Sequence, residues 1–382
     1  MQPEGAIPAR RADIDSLRVL ALLLLIAYHV LLVYSGRDFW RVVSAYNGFW
    51  ADYLITLLRP WRITLVFLIG GVAVRFMLDR LEWRRFVFDR VAKLGAAFMF
   101  AVIVLVPVQR YVRLDDLGLP QPGYGAYLLN EAWRVDVSLG VPLPEFSHAW
   151  FLLYLLAYSI LAGLAWRYAP RAFGWAIDWA GRAPILFIVG ATLAWFACLS
   201  AFVDPAIRPT NMLIDDVSGH LRYAPIFFLG VLLGKMDMFW RRLDVAKWRL
   251  WLGSALLAPL NVGLLWLVLH GRLADPLWWN LARGAFGGVT LFGVVAFGHA
   301  ALNKPSQLLT FAADAILPVY LMHQSFLVVA GDAIVARHWP APLEAGALIA
   351  AALLAPLAIY CVFIRRVPLM RVLIGLRPHL RR

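Results

Sequence analysis

Ten apolar runs, most of them close to 20 residues long, follow one another along the 382-residue chain. Twenty residues of helix rise about 30 Å, the thickness of a bilayer's hydrocarbon core. No other feature of the sequence constrains the fold as strongly. In lipid every backbone N–H and C=O must find a partner within the protein, so only helices or a closed barrel can cross. These runs are continuous rather than alternating, which selects helices. The expected fold is therefore all-α: a polytopic membrane protein of about ten transmembrane helices, forming a single domain over 1–382. The expected spans are about 16–35, 57–78, 91–109, 148–166, 184–203, 221–235, 248–269, 278–299, 307–330 and 344–364, the sixth of them short. No soluble domain of useful size fits between them.

A formal net charge of +13 would suggest nucleic acid in a soluble protein. Ten spans starting from a cytoplasmic N-terminus put 23 of the 36 Lys and Arg on the cytoplasmic side, 8 in the opposite loops and the rest within spans. That bias follows the positive-inside rule, so the charge reports topology and attraction to anionic lipid, and nucleic acid is not implied. Both termini are expected to be cytoplasmic. Arg10 and Arg11 precede the first run in the order of a signal peptide, but "VYSGRDFW" after it offers no Ala-x-Ala site, so the run reads as an uncleaved span. Cys198 and Cys361 both fall inside apolar runs and read as small buried hydrophobes rather than redox or metal groups.

Polar residues within such spans are expensive and mark a functional site by default. In "DSLRVLALLLLIAYHV", Arg18 and His29 are eleven residues apart. Eleven steps of 100° return to within about 20° of the starting direction, so the two share one helical face, about 16 Å apart along the axis. Asp15 joins that face from the cytoplasmic end. The ninth span, "LLTFAADAILPVYLMHQSFLVVA", brings His323 to a similar depth, with Tyr320 a turn away. The fourth opens "FSHAWFLLYLL", placing His148 and Trp150 at its external mouth. The second opens "LLRPWRITLVFLIGG", with Pro60 at an early helical position and Arg59 and Arg62 three apart on one face. Taken singly, each has a structural reading: a histidine bridging helices, snorkelling arginines, interfacial tryptophans. Together, three histidines and two arginines converge on the outer half of the membrane from four spans.

Imidazole is the usual general base for a hydroxyl, and cations stabilise the oxyanion of acyl transfer. G-x-S-x-G, H-E-x-x-H and P-loop motifs are absent. The glycines of "RGAFGGVTLFG" (Gly284, Gly287, Gly288) read as helix packing.

These motifs, in this order across the whole chain, make it resemble the acyltransferase-3 family of integral membrane acyltransferases. The signal lies in "DSLR" with the Arg-x10-His of Arg18 and His29, in "RPWRITLVFLIGG", in "SHAWFLLYLL" and in "YLMHQSF". It is most similar to the branch associated with succinylation of periplasmic glucans. The resemblance implies a bacterial inner-membrane O-acyltransferase of about ten spans. The donor would be cytoplasmic acyl-CoA carrying an acetyl- or succinyl-class group, with no metal, and the acceptor a carbohydrate hydroxyl. It implies His29 as the catalytic histidine, general base or acyl carrier, and Arg18 as its companion, with Asp15 beside them. Arg59, Arg62, His323 and Tyr320 would form the donor or oxyanion pocket, and His148 and Trp150 the acceptor side. The chain departs from its relatives at Gly70, where a serine is common. The cytoplasmic Arg80, Arg84, Arg85 and Arg90 are candidates for the coenzyme phosphates. Trp133, Tyr124, Tyr127, Asp115 and Asp116, in the long external loop, are candidates to cradle a sugar. The rival reading is a transporter or flippase for a lipid-linked or anionic substrate, which buried histidines and arginines would also serve. Coenzyme A binding separates the two.

Overall fold

A computed structural model describes residues 11–37, 40–116, 123–133 and 146–378. Among these, nine helices are long and apolar enough to span a membrane: α1 (Ala12–Val33), α2 (Phe49–Leu78), α3 (Trp83–Leu114), α5 (Ser147–Tyr168), α7 (Ile185–Val203), α9 (Asp237–Leu269), α10 (Leu277–Ala301), α11 (Gln307–Val335) and α12 (Ala341–Ile364). A shorter apolar helix, α8 (Val217–Leu233), takes the place of the short sixth span. Short helices complete the set: α4 (Tyr124–Asn130), α6 (Pro170–Arg182) and α13 (Pro368–Leu373). The ten expected runs thus all appear as helices. We call the side on which α1 begins the N-terminal side and the opposite one the far side.

Glycine sets how closely the helices approach. A Cβ placed on Gly71 of α2 would lie 2.0 Å from the Phe227 carbonyl oxygen of α8, and one on Gly230 of α8 would lie 2.2 Å from that of Leu68. These two helices therefore pack backbone to backbone, and because Gly234 in turn meets Val72 they run in the same direction. In α10, Gly284 and Gly288 meet the backbone of α7 at Phe196 and Leu193, and Gly287 meets Pro60 of α2. Such small-residue contacts supply van der Waals attraction where lipid removes the hydrophobic drive for association. The glycine reading of the sequence holds in this helix.

Pro60 requires a correction. α2 begins eight residues before the expected 57, so Pro60 lies well inside the helix rather than in its first turn. Proline there deletes the hydrogen bond to the carbonyl four residues earlier, Thr56. Asn261 of α9 replaces it, its Nδ2 donating to the Thr56 carbonyl at 3.1 Å while the Thr56 hydroxyl reaches the Asn261 Oδ1 at 3.3 Å. Pro225 in α8 repeats the device: the Leu221 carbonyl it releases accepts the Trp195 indole N–H at 2.9 Å. In a bilayer, where no water can serve, these side chains give the carbonyls released by proline a partner within the protein.

Cys198 is a second correction. It faces outward from α7 rather than into the bundle, and both cysteines are free thiols. α9 also begins eleven residues before the expected 248, because "DMFWRRLDVAK" continues the helix beyond the apolar run. α6 is amphipathic, burying Phe173 and Ala180 while exposing Trp175 and Trp179; such a helix suits the plane of a membrane interface. On the far side, residues 34–37 and 40–48 fold back over the bundle. Ser35 and the backbone N–H of Gly36 bond to the buried Asp52 carboxylate, and Ser44 donates to the buried Glu344 at 2.6 Å.

Candidate active site

α1 is continuous from Ala12 to Val33, so Arg18 and His29 are rigidly spaced on it. Both line one cavity of about 1460 Å³. The lining runs from Arg18, Arg90, Lys93 and Leu376 on the N-terminal side, past His29, Arg62 and Tyr320, to Arg37, Arg41 and Arg208 on the far side. Eleven cationic side chains face it against two carboxylates, Asp204 and Asp314, among the described residues. Asp15 lies near the N-terminal end, 3.4 Å from the Arg18 guanidinium. It is about 21 Å of helical rise from His29.

Part-way along this lining, the histidines meet. His29 Nδ1 lies 3.2 Å from His323 Nε2, and the His148 ring is 5.4 Å from that of His323. All three are buried. The bonds dictate where the hydrogens sit. His323 Nδ1 is 2.5 Å from the Tyr320 carbonyl, which can only accept, so that nitrogen carries the hydrogen. Neutral His323 then offers the lone pair of its Nε2, and His29 must donate from Nδ1. The Nε2 of His29 is left holding a lone pair, the form a base or nucleophile requires. His148 is drawn inward from the mouth where sequence position put it: its Nε2 donates to the Leu321 carbonyl at 2.8 Å, and its own carbonyl accepts the Tyr320 hydroxyl at 2.5 Å. These bonds lock α5 to α11 and fix Tyr320 and Leu321, three and two residues before His323. Trp150 packs against Tyr223 and Tyr154, deeper than an interfacial tryptophan.

Arg62 is 4% exposed, with its guanidinium stacked 3.7 Å above the Tyr28 ring, beside His29. Its Nε and one Nη have no hydrogen-bond partner. A cation–π contact offsets part of the cost of burying this charge. Arg59 is exposed to the cavity one turn nearer the far side. Gly70 also lines the cavity, where any Cβ would strike Leu155 at 2.6 Å.

Several sequence candidates lie elsewhere. Of Arg80, Arg84, Arg85 and Arg90, only Arg90 lines the cavity. Tyr127 is buried in a small cluster with Tyr111, Tyr124 and Leu114, apart from the cavity, and Trp133 is exposed. The side chains of Asp115 and Asp116 lie outside the described residues. The sequence reading missed Lys93, which sits in a π-helical turn of α3 (Val91–Gly95). Such turns often mark functional sites, but they leave no clear mark in sequence. It also missed Trp40, whose ring lies 5.9 Å from that of His29. Beyond the histidines, Gln109, Ser147, Gln324 and Ser325 form a closed hydrogen-bonded group, joined by Arg41 through the Ser147 hydroxyl.

The model of an acyltransferase domain family matches residues 11–361. The chain belongs to the acyltransferase-3 family. This acyltransferase is 26% identical over 345 residues to the glucans biosynthesis protein C of Salmonella heidelberg strain SL476, covering 86% of this chain and 85% of that protein. It is 25% identical over 343 residues, with the same coverage, to its counterpart in Salmonella gallinarum. No solved structure matches it. The chain is thus an integral membrane acyltransferase, with its histidine cluster midway along a cationic cavity.

Proposed function

We propose that the acyltransferase moves a short acyl group from acyl-CoA, bound at the N-terminal, cytoplasmic side, to a hydroxyl of a carbohydrate entering from the far side. The observation that carries this reading is the contact of His29 with His323, 3.2 Å apart, on one cavity whose lining runs from Arg18 to the far-side arginines. Arg18, Arg90 and Lys93 cluster at the N-terminal end, suited to the phosphates of a coenzyme whose thioester arm extends inward. His29 Nε2 takes the proton of the acceptor hydroxyl as its oxygen attacks the thioester carbon. Arg62 stabilises the oxyanion that forms. Collapse breaks the C–S bond, and the imidazolium returns its proton to the departing thiolate, so the base is regenerated. His323 holds His29 in the tautomer this sequence needs.

A continuous cavity lets donor and acceptor be bound together, which favours direct transfer over an acyl-histidine. Initial rates with both substrates varied should therefore give intersecting rather than parallel double-reciprocal lines. Labelled acyl transfer by purified protein should fall at least 100-fold in His29→Ala, and strongly in Arg18→Ala. Full activity in correctly inserted versions of these variants refutes the reading, and failure to bind coenzyme A would favour a flippase instead. The names of the relatives support a glucan as the acceptor class, tested by mass spectrometry of envelope glycans with and without the gene product.

A further inference from the structure

On the far side of His29 the cavity holds a second cluster. Asp204 follows the π-helical end of α7 and accepts from Arg222 of α8 at 2.5 Å and from Arg283 of α10 at 3.4 Å. Arg37, from the loop after α1, and Arg283 both place their guanidinium carbons 4.7 Å from the ring centre of Trp279. Arg59 of α2 is close enough to act electrostatically on Arg283, as are Arg37 and Arg222. All four arginines and Asp204 face the cavity.

The heights follow from the packing. Leu17 meets Gly298, and His29 is twelve residues above the first while Arg283 is fifteen above the second. At 1.5 Å per residue, the Arg283 backbone lies about 5 Å nearer the far side than that of His29. The cluster therefore lies close to the reacting centre in depth, on the same cavity.

Arg37, Arg222 and Arg283 outnumber the one carboxylate among them, and Arg222 and Arg283 have only 15% and 19% of their side chains exposed. Like charges gathered in low dielectric repel strongly unless an anion joins them. Guanidinium presents a fork of donors that matches carboxylate and phosphate oxygens, and a stack on tryptophan holds that fork in place. A structural ion pair would need one arginine for Asp204, whereas Arg222 and Arg283 both reach it and Arg37 shares Trp279 with Arg283.

We infer that this cluster is a binding site for an oxyanion carried by one of the two substrates, either the distal carboxylate of a dicarboxylic acyl group or a phosphate or carboxylate borne by the acceptor. This rests on the acyl-transfer reading for the identity of the substrates, while the binding of an anion can be tested without it.

The first measurement is binding. Purified full-length protein in detergent is titrated with succinate and with inorganic phosphate, at constant ionic strength, and the fluorescence attributable to Trp279 is taken as the difference between wild type and Trp279→Phe. Saturable change is expected, and Arg283→Gln should weaken it at least tenfold. No saturable change with either anion overturns the inference, whatever the enzyme's activity. The second measurement assigns the source. One arm compares succinyl-CoA with acetyl-CoA on a neutral oligosaccharide; the other compares phosphorylated with neutral oligosaccharide, using acetyl-CoA. In Arg283→Gln and Arg222→Gln, kcat/KM for the anionic member of one pair should fall at least tenfold further than for its neutral partner. The pair that responds identifies the substrate bearing the anion. Equal falls in both pairs, with anion binding intact in wild type, show an adventitious ion only and overturn a substrate role. If neither pair is turned over by wild type, the acyl-transfer reading fails while the titration still decides whether an anion binds.

Discussion

His323→Leu isolates what the imidazole pair contributes. The leucine removes the acceptor 3.2 Å from His29 Nδ1, leaving the buried N–H without that partner and the tautomer less firmly fixed. An unsatisfied buried donor costs about 1–3 kcal/mol. That energy is recovered if His29 moves its hydrogen to Nε2 or turns its ring, and either change removes the lone pair from the cavity. Expressed as lost population of the active form, 1–3 kcal/mol lowers kcat by about 5- to 150-fold. The loss should fall in kcat rather than in the KM for acyl-CoA, since His323 does not line the cavity. His323→Gln keeps an acceptor and should recover part of the loss, while His29→Ala should lie at or below the lower variant. The assay is transfer of labelled acyl groups from acyl-CoA to oligosaccharide in detergent, with size-exclusion profiles confirming that the variants remain folded. A His323→Leu enzyme within twofold of wild type would refute the assignment of hydrogens in the pair. A glutamine variant no better than leucine would show that ring shape, rather than acceptance of the hydrogen bond, is what His29 needs.

Asn261→Leu should destabilise the wild type by about 1–2 kcal/mol, because it strands the carbonyl that Pro60 released. In a Pro60→Ala background the backbone bond returns and the same change should cost less, a coupling readable as a non-additive shift in thermal unfolding. Gly230→Val should separate α8 from α2, where the Cβ position is 2.2 Å from the Leu68 carbonyl oxygen, and the protein should be recovered in poor yield or unfold at markedly lower temperature. Arg62→Met preserves the length of a side chain stacked on Tyr28 but removes its charge; kcat should fall about 10²–10³-fold, the cost of losing one oxyanion donor, and an unchanged kcat would remove Arg62 from that role.

The ten helices were legible because lipid allows so few alternatives, and the Arg18–His29 spacing because a helix has a fixed pitch. His323 could be matched to His29 in depth by counting residues from the membrane faces. Counting could not show the bond between them, which depends on how α1 and α11 are rotated and packed. His148 shows the limit of the same reasoning, since its sequence position is at a helix entrance while its environment is set by α11. Pro60 was misplaced because the helix extends through "FWADYLIT", where polar and aromatic residues blur the apolar edge. The partnership of Thr56 with Asn261 spans two helices far apart in sequence, and no local pattern encodes it. The far-side arginines were visible only as loop and span-end cations. α7, α8 and α10 had to be assembled before Arg222, Arg283 and Asp204 could be seen as one group.

A polar path through a bilayer is also a hazard, for it could discharge the ion gradients the membrane maintains. The eleven cations lining this one give it a sign. Set against two carboxylates, they disfavour hydronium and metal cations. Anions meet no such barrier, and where the N-terminal side is electrically negative the field assists them outward by about 2.3 kcal/mol per charge for each 100 mV. A lining with an excess of one sign makes the cavity charge-selective, so that such a voltage would bias anionic groups toward the far side.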